Sequence, residues 1–137
     1  MFDDYAHLPA EISAVLGGMR ADNSVTGRLI AVFQPNRFNR MAVMSPDYAD
    51  AFTSADVVYI NNVYSSGTAF IEGVTGQLVV DAVISAHPEA QIRYIESRDE
   101  LVDAVLTDLD NGDVCVSMGC GDIEHFPAQV AAKWRSK

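Results

Sequence analysis

Between Asp3 and His7 the chain sets two carboxylates, the phenol of Tyr5 and an imidazole within one short stretch. Such a set can bind a hydroxyl pair, a metal or a phosphate relay; equally, an Asp can cap the following loop while His7 faces solvent in a turn. A second group is Arg37 and Arg40, three apart in a loop, QPNRFNR (34–40), after an apolar strand, and two of only nine basic residues. Guanidinium forks match carboxylate and phosphate oxygens bidentately, so this pair reads as an oxyanion clamp or as surface partners of Asp47 and Asp50. Gly119-Cys120-Gly121 resembles a phosphate-binding turn but follows the last strand and lacks a third glycine, which makes it a tight turn. No GxxxxGK[ST] occurs, so the chain is not expected to hydrolyse ATP unaided. An acidic pair after strand one also fits a receiver domain, but Asp56 begins its strand instead of ending it and no Lys lies near Met118, which excludes that reading. His87 and His125 read as surface residues on helix flanks. Cys115 and Cys120, spaced CxxxxC, read as reduced structural thiols. No metal site is expected.

The elements that must position these groups follow from composition and periodicity. With 137 residues, 49% hydrophobic and 20% charged, the chain fits one domain with its own core. Nine Lys and Arg against nineteen Asp and Glu give a net charge of −10, the wrong sign for nucleic acid or anionic membrane surfaces. No apolar run approaches the ~20 residues of a membrane span, and Met1-Phe2-Asp3-Asp4 has neither the basic start nor the apolar segment of a signal peptide. The expectation is a cytoplasmic protein.

Strand and helix patterns alternate, the mark of a β/α domain with a mainly parallel sheet. Phe2–Asp4 reads as a strand end, and Pro9 opens a helix with Ile12, Val15, Leu16 and Met19 on one face. RLIAVFQ (28–34) reads as a strand covered on both faces. Ser45-Pro46-Asp47 reads as the start of a helix carrying Tyr48, Ala49 and Phe52 inward. DVVYI (56–60) is a third strand, and the polar loop from Asn61 to Gly73 is long enough to be functional. A helix then carries Leu78, Val79, Ala82 and Val83 inward. A strand over 91–95 follows, and Ser97 caps a helix bearing Leu101, Val102, Val105 and Leu106, ended by Asn111-Gly112. A fifth strand spans 113–118, and a last helix from Pro127 buries Val130, Ala131 and Trp134. Five strands and five helices result. In an open α/β sheet, ligands lie beyond the strand C-termini, which gathers residues 3–7, 34–40, 61–68 and 118–122 on one edge. The first strand has almost no body before Asp3, so the expectation is a piece cut from a longer protein.

FDDYAHLPAEI, IAVFQPNRFNR, YADAF with SADVVYI, VYSSG with IEGVTGQL, and GDVCVSMGCGDI occur in order from Phe2 to Ile123. Together they resemble the C-terminal domain of the UDP-N-acetylmuramate–L-alanine ligases, within the Mur ligase family of peptidoglycan synthesis. The resemblance implies a Rossmann-like, three-layer α/β domain with a mainly parallel sheet of five to six strands. It also implies that residues 1–137 are the C-terminal domain of a bacterial, cytoplasmic ligase. An N-terminal UDP-sugar domain and a central P-loop domain holding most of ATP and Mg2+ would lie outside the chain, which is then inactive alone. The reaction implied is ATP-driven: an acyl phosphate of the muramoyl carboxylate is attacked by the amine of L-alanine. By match to the motifs, Asp4 would hold the ATP ribose with Asp3 in support. Tyr5 and His7 would face the amino acid, and Arg37 and Arg40 would clamp its carboxylate. Tyr64 to Gly67 would line the closing cleft. Leu8 and Asn36 stand where the family has His, and Asn36 keeps the capacity to bond a carboxylate. The rival readings are the sister ligase that recycles murein tripeptide, and a stand-alone binding or interaction module without catalysis.

Overall fold

Leu29–Phe33 (β2) is an unbroken apolar run with no residue exposed to solvent, and it lies at the centre of the sheet. In the computed structural model, which describes residues 1–22 and 25–136, β2 pairs in parallel with Val114–Met118 (β5) on one side and Val57–Ile60 (β3) on the other. Phe2–Asp4 (β1) adds to β5, and Ile92–Tyr94 (β4) adds to β3, giving the all-parallel order β1-β5-β2-β3-β4. The α/β class and parallel sheet agree with the sequence reading.

Successive strand residues point to opposite faces, so each face of the sheet has its own core. Leu29, Ala31 and Phe33 pack with Ile12 and Leu16 of Pro9–Ala21 (α1) and with Val79, Val80 and Val83 of Gln77–Ala86 (α3). Ile30 and Val32 pack on the other side with Leu101, Val102, Val105 and Leu106 of Arg98–Asp108 (α4), and with Val130 of Phe126–Arg135 (α5). The Ser97 hydroxyl accepts the Glu100 N–H at 3.3 Å, so it caps α4 as its sequence predicts. Cys115 and Cys120 are free thiols, and among the described residues no helix is long and apolar enough to cross a membrane.

Two expectations are corrected. No α-helix starts at Ser45. A seven-residue helix, Phe38–Met44 (α2), lies just before it, and Ser45–Tyr48 is a 3₁₀ turn. Ser45 Oγ donates back to the Met41 carbonyl at 2.5 Å instead of capping forward, while Phe38, Met41 and Met44 at three-residue spacing supply the inward face of α2. Tyr48 and Phe52 are nevertheless buried as expected. The second correction is Trp134, which is 65% exposed. Phe126 and Val130 make the inward line of α5, but each four-residue step turns about 40° past a full circle, so by Trp134 the line has left the sheet.

At the opposite end of the sheet from the ligand edge, Arg28 ties β2 to the turn before β5. Its guanidinium donates to Asp113 Oδ2 at 2.8 Å and to Asp108 Oδ1 at 3.1 Å, and its backbone N–H donates to Asp113 Oδ1 at 2.8 Å. The Arg28 hydrogen bond, reinforced by backbone N–H groups, holds Asp113 below its ordinary value despite its burial. A depressed carboxylate stabilises the fold above the unfolded-chain value and loses that contribution as pH falls through the native one. The gap in urea midpoint between the wild type and Asp113→Asn is therefore expected to be widest near neutrality and to close below about pH 4. A gap that stays constant from pH 7 to 2.5 would refute this.

Candidate active-site edge

Backbone hydrogen bonds stitch the strand C-termini into one continuous rim. Gly119 N donates to Asp4 O, Gln34 N to Met118 O at 3.1 Å, Asn61 N to Phe33 O at 2.9 Å and Ile95 N to Ile60 O at 2.8 Å. The four segments expected to share an edge therefore do so.

On the β1 side, Asp4 is half-buried and Asp3 exposed. Asp4 Oδ1 accepts the Ala6 N–H at 2.9 Å in an Asx turn, and Asp3 Oδ1 accepts the Ser117 hydroxyl at 2.6 Å. Each carboxylate thus has one oxygen engaged. Tyr5 is 71% exposed, with its ring edge-on to His7 at 5.8 Å. His7 is held from three sides. Its Nδ1 lies 3.1 Å from Tyr5 O, its N–H donates to Glu11 Oε1 at 3.2 Å, and its carbonyl accepts the Tyr48 hydroxyl at 2.6 Å. Glu11 also accepts the Leu8 N–H at 3.0 Å, and these backbone donors lower its pKa. Burial pushes Tyr48 up to about 12, so it stays a proton donor to His7 O.

The arginines lie on the β2 side. Arg37 precedes α2, and Arg40 sits within that helix, not in a loop as the sequence reading had it. Arg40 donates from Nη1 to Asn36 Oδ1 at 3.2 Å, the i, i+4 spacing of one helical turn. Asn36 is only 3% exposed, and its Nδ2 has no hydrogen-bond partner among the described residues. A buried amide N–H without an acceptor costs on the order of 1–3 kcal/mol, so this donor calls for an acceptor, a water included. Arg37 is exposed, and its guanidinium makes no hydrogen bond or ion pair among the described residues. Asp50 is taken by His87 at 2.8 Å, and no ion pair joins Asp47 to either arginine, so surface pairing does not account for the two guanidinium groups. Arg40 lies within electrostatic reach of Glu11 and Tyr48, which brings the His7 and Arg40 groups together; no hydrogen bond joins either to Asp3 or Asp4.

A neighbouring network escaped the sequence reading. Gln34 Nε2 donates to Asp122 Oδ1 at 2.8 Å, and Arg98 reaches the same oxygen at 2.8 Å. Arg98 Nε also donates to Asn61 Oδ1 at 2.9 Å, and Asn61 Nδ2 donates to Ile95 O at 2.8 Å. Burial works against the Asp122 charge, but Gln34 and Arg98 still hold its pKa below the ordinary value. The available signal was a polar amide directly after each central apolar strand, Gln34 after β2 and Asn61 after β3.

Residues 1–121 match the family model described as "Mur ligase, glutamate ligase domain". The UDP-N-acetylmuramate–L-alanine ligase of Rickettsia canadensis is 36% identical over 135 residues, covering 98% of this chain and 28% of its own. That of Rickettsia prowazekii is 35% identical over 131 residues, covering 95% and 26%. The chain thus spans about a quarter of the length of these curated relatives. Among solved structures, the UDP-N-acetylmuramate–alanine ligase of Thermotoga maritima aligns with a TM-score of 0.73 at 24% identity, over 97% of this chain and 26% of that one. A murein peptide ligase from Psychrobacter arcticus aligns with a TM-score of 0.73 at 21% identity, over 94% and 26%. At these identities the two structures speak for the fold.

Proposed function

The chain belongs to the Mur ligase family, matching its glutamate ligase domain, and on that premise we propose that it is the substrate-closing C-terminal domain of an ATP-dependent ligase. That ligase adds L-alanine to UDP-N-acetylmuramate in peptidoglycan biosynthesis. The observation that carries the reading is the Asn36–Arg40–Arg37 group, an oxyanion site in a chain of net charge −10 with a buried amide donor to spare. The two arginines clamp the L-alanine carboxylate, and Asn36 Nδ2 adds a neutral hydrogen bond. His7 and Tyr5 face the amino acid from the β1 side, with His7 fixed by Tyr48 and Glu11.

Asp4 suits a ribose, because hydroxyls donate to carboxylates and one Asp4 oxygen is left over after the Asx turn. Asp3, which accepts the Ser117 hydroxyl, stands next to it in support. Bound ATP with Mg2+ would supply the driving force for amide formation; this chain holds the nucleotide only through Asp4 and Asp3, and the remaining contacts fall to UDP-sugar and ATPase domains of the same ligase. The relatives' greater length supports that division.

A half-site implies weak binding. Isolated L-alanine or ATP is expected to bind this chain with Kd of about 1 mM or weaker, because the closed site is not formed. Calorimetry checks this, and micromolar binding of either would favour a stand-alone binding module. In the intact ligase, turnover with L-alanine but not with murein tripeptide as acceptor separates the proposed activity from that of the sister enzyme.

A further inference from the structure

We propose that Tyr64 and Gly121 are positioning residues for the arginine pair, a proposal that rests on the carboxylate-clamp reading above. Arg37 has φ 70° and ψ 119°, a backbone conformation that a side-chain-bearing residue adopts only under restraint. The restraint comes from the loop after β3. Tyr64 N donates to Pro35 O at 2.9 Å and Tyr64 O accepts the Arg37 N–H at 2.8 Å, a parallel bridge across Asn36. Four residues on, Thr68 Oγ1 accepts the Phe38 N–H at 3.1 Å, capping the first turn of the helix that carries Arg40. One loop therefore fixes the backbone on both sides of Arg37 and the start of α2.

What fixes the loop is the Tyr64 ring lying on Gly121. A Cβ at Gly121 would stand 2.5 Å from Tyr64 Cγ and 2.9 Å from Gln34 Oε1, closer than any side chain tolerates. Gly121 has φ −116°, so the requirement is for space, not for an unusual backbone angle. The turn after β5 and the arginines after β2 are thereby linked through one aromatic ring. A methyl group at Gly121 moves Tyr64, and Tyr64 moves Arg37.

The test has a structural and a kinetic arm. In this chain, Gly121→Ala is expected to speed hydrogen exchange of the Arg37 amide by roughly tenfold or more, with cooperative unfolding retained. In the intact ligase the same change is expected to raise the amino-acid KM by roughly tenfold to a hundredfold with kcat changed far less, the cost of misplacing a clamp by about an ångström. Tyr64→Phe keeps the ring and both backbone bonds, so Arg37 amide exchange should stay at the wild-type rate. Tyr64→Ala in the Gly121→Ala background makes room for the methyl group and should cost less than the sum of the two single changes. Additive effects, or Arg37 exchange and KM unmoved by Gly121→Ala, would overturn the proposal. Should Gly121→Ala fail to fold, Thr68→Val decides alone: it removes the α2 cap at a surface loop, and an unchanged KM counts against the loop's role. If Arg37→Ala itself leaves KM unchanged, the clamp reading fails, whatever the exchange data show.

Discussion

Replacing Arg40 with alanine in the intact ligase is expected to raise the amino-acid KM by about thirtyfold to several thousandfold, or about 2–5 kcal/mol. Two losses combine. On the proposed clamp the substrate carboxylate loses a charged donor, and Asn36 Oδ1, buried three residues beyond β2, loses the Nη1 donor 3.2 Å away. Arg37→Ala is expected in the same range and the same direction, but with less effect on the free domain because its guanidinium is exposed and bonds none of the described residues. Arg40→Lys keeps the charge and loses the fork, so it should recover part of the affinity. Steady-state kinetics with L-alanine varied at saturating ATP and UDP-N-acetylmuramate measures this. A KM unchanged in either alanine variant removes that arginine from the site.

Much of this arrangement is legible in the sequence, for identifiable reasons. β2 announces itself as five consecutive apolar residues, because a central parallel strand must be apolar on both faces. The rim follows from topology alone, since parallel strands deliver all their following loops to the same edge. The short helix α2 was hidden because seven residues give barely two turns of periodicity, and Pro46 supplies a stronger start signal in the wrong place. The Gln34–Asp122–Arg98–Asn61 network was hidden for a different reason. Its members are up to 88 positions apart and meet only because β5 inserts beside β2, an order that no local pattern encodes. The seat of Tyr64 on Gly121 belongs to the same class: the residues are ordinary in isolation, and only their approach in space makes either one restrictive.

The largest expected loss of stability comes from Phe33→Ala, at about 3–5 kcal/mol. Phe33 is fully buried, its ring 5.3 Å from that of Tyr48 and 5.7 Å from that of Phe52, in the core between the sheet and the 3₁₀ turn. Phe52 and Met41 are packed in the same cluster, so either could move into the space only by giving up contacts it already makes. A domain of this kind has on the order of 5–15 kcal/mol in total, so the variant should unfold at a much lower urea concentration with an unchanged slope. Phe33→Leu keeps most of the volume and should cost less than about 1.5 kcal/mol. The consequence reaches the rim, since the Tyr48 ring that loses its neighbour carries the hydroxyl that donates to the His7 carbonyl. His7 chemical shifts should therefore move in Phe33→Ala while the domain is still folded. A loss below about 1 kcal/mol would mean that the 3₁₀ turn collapses into the cavity, and the His7 environment would then have to change further still.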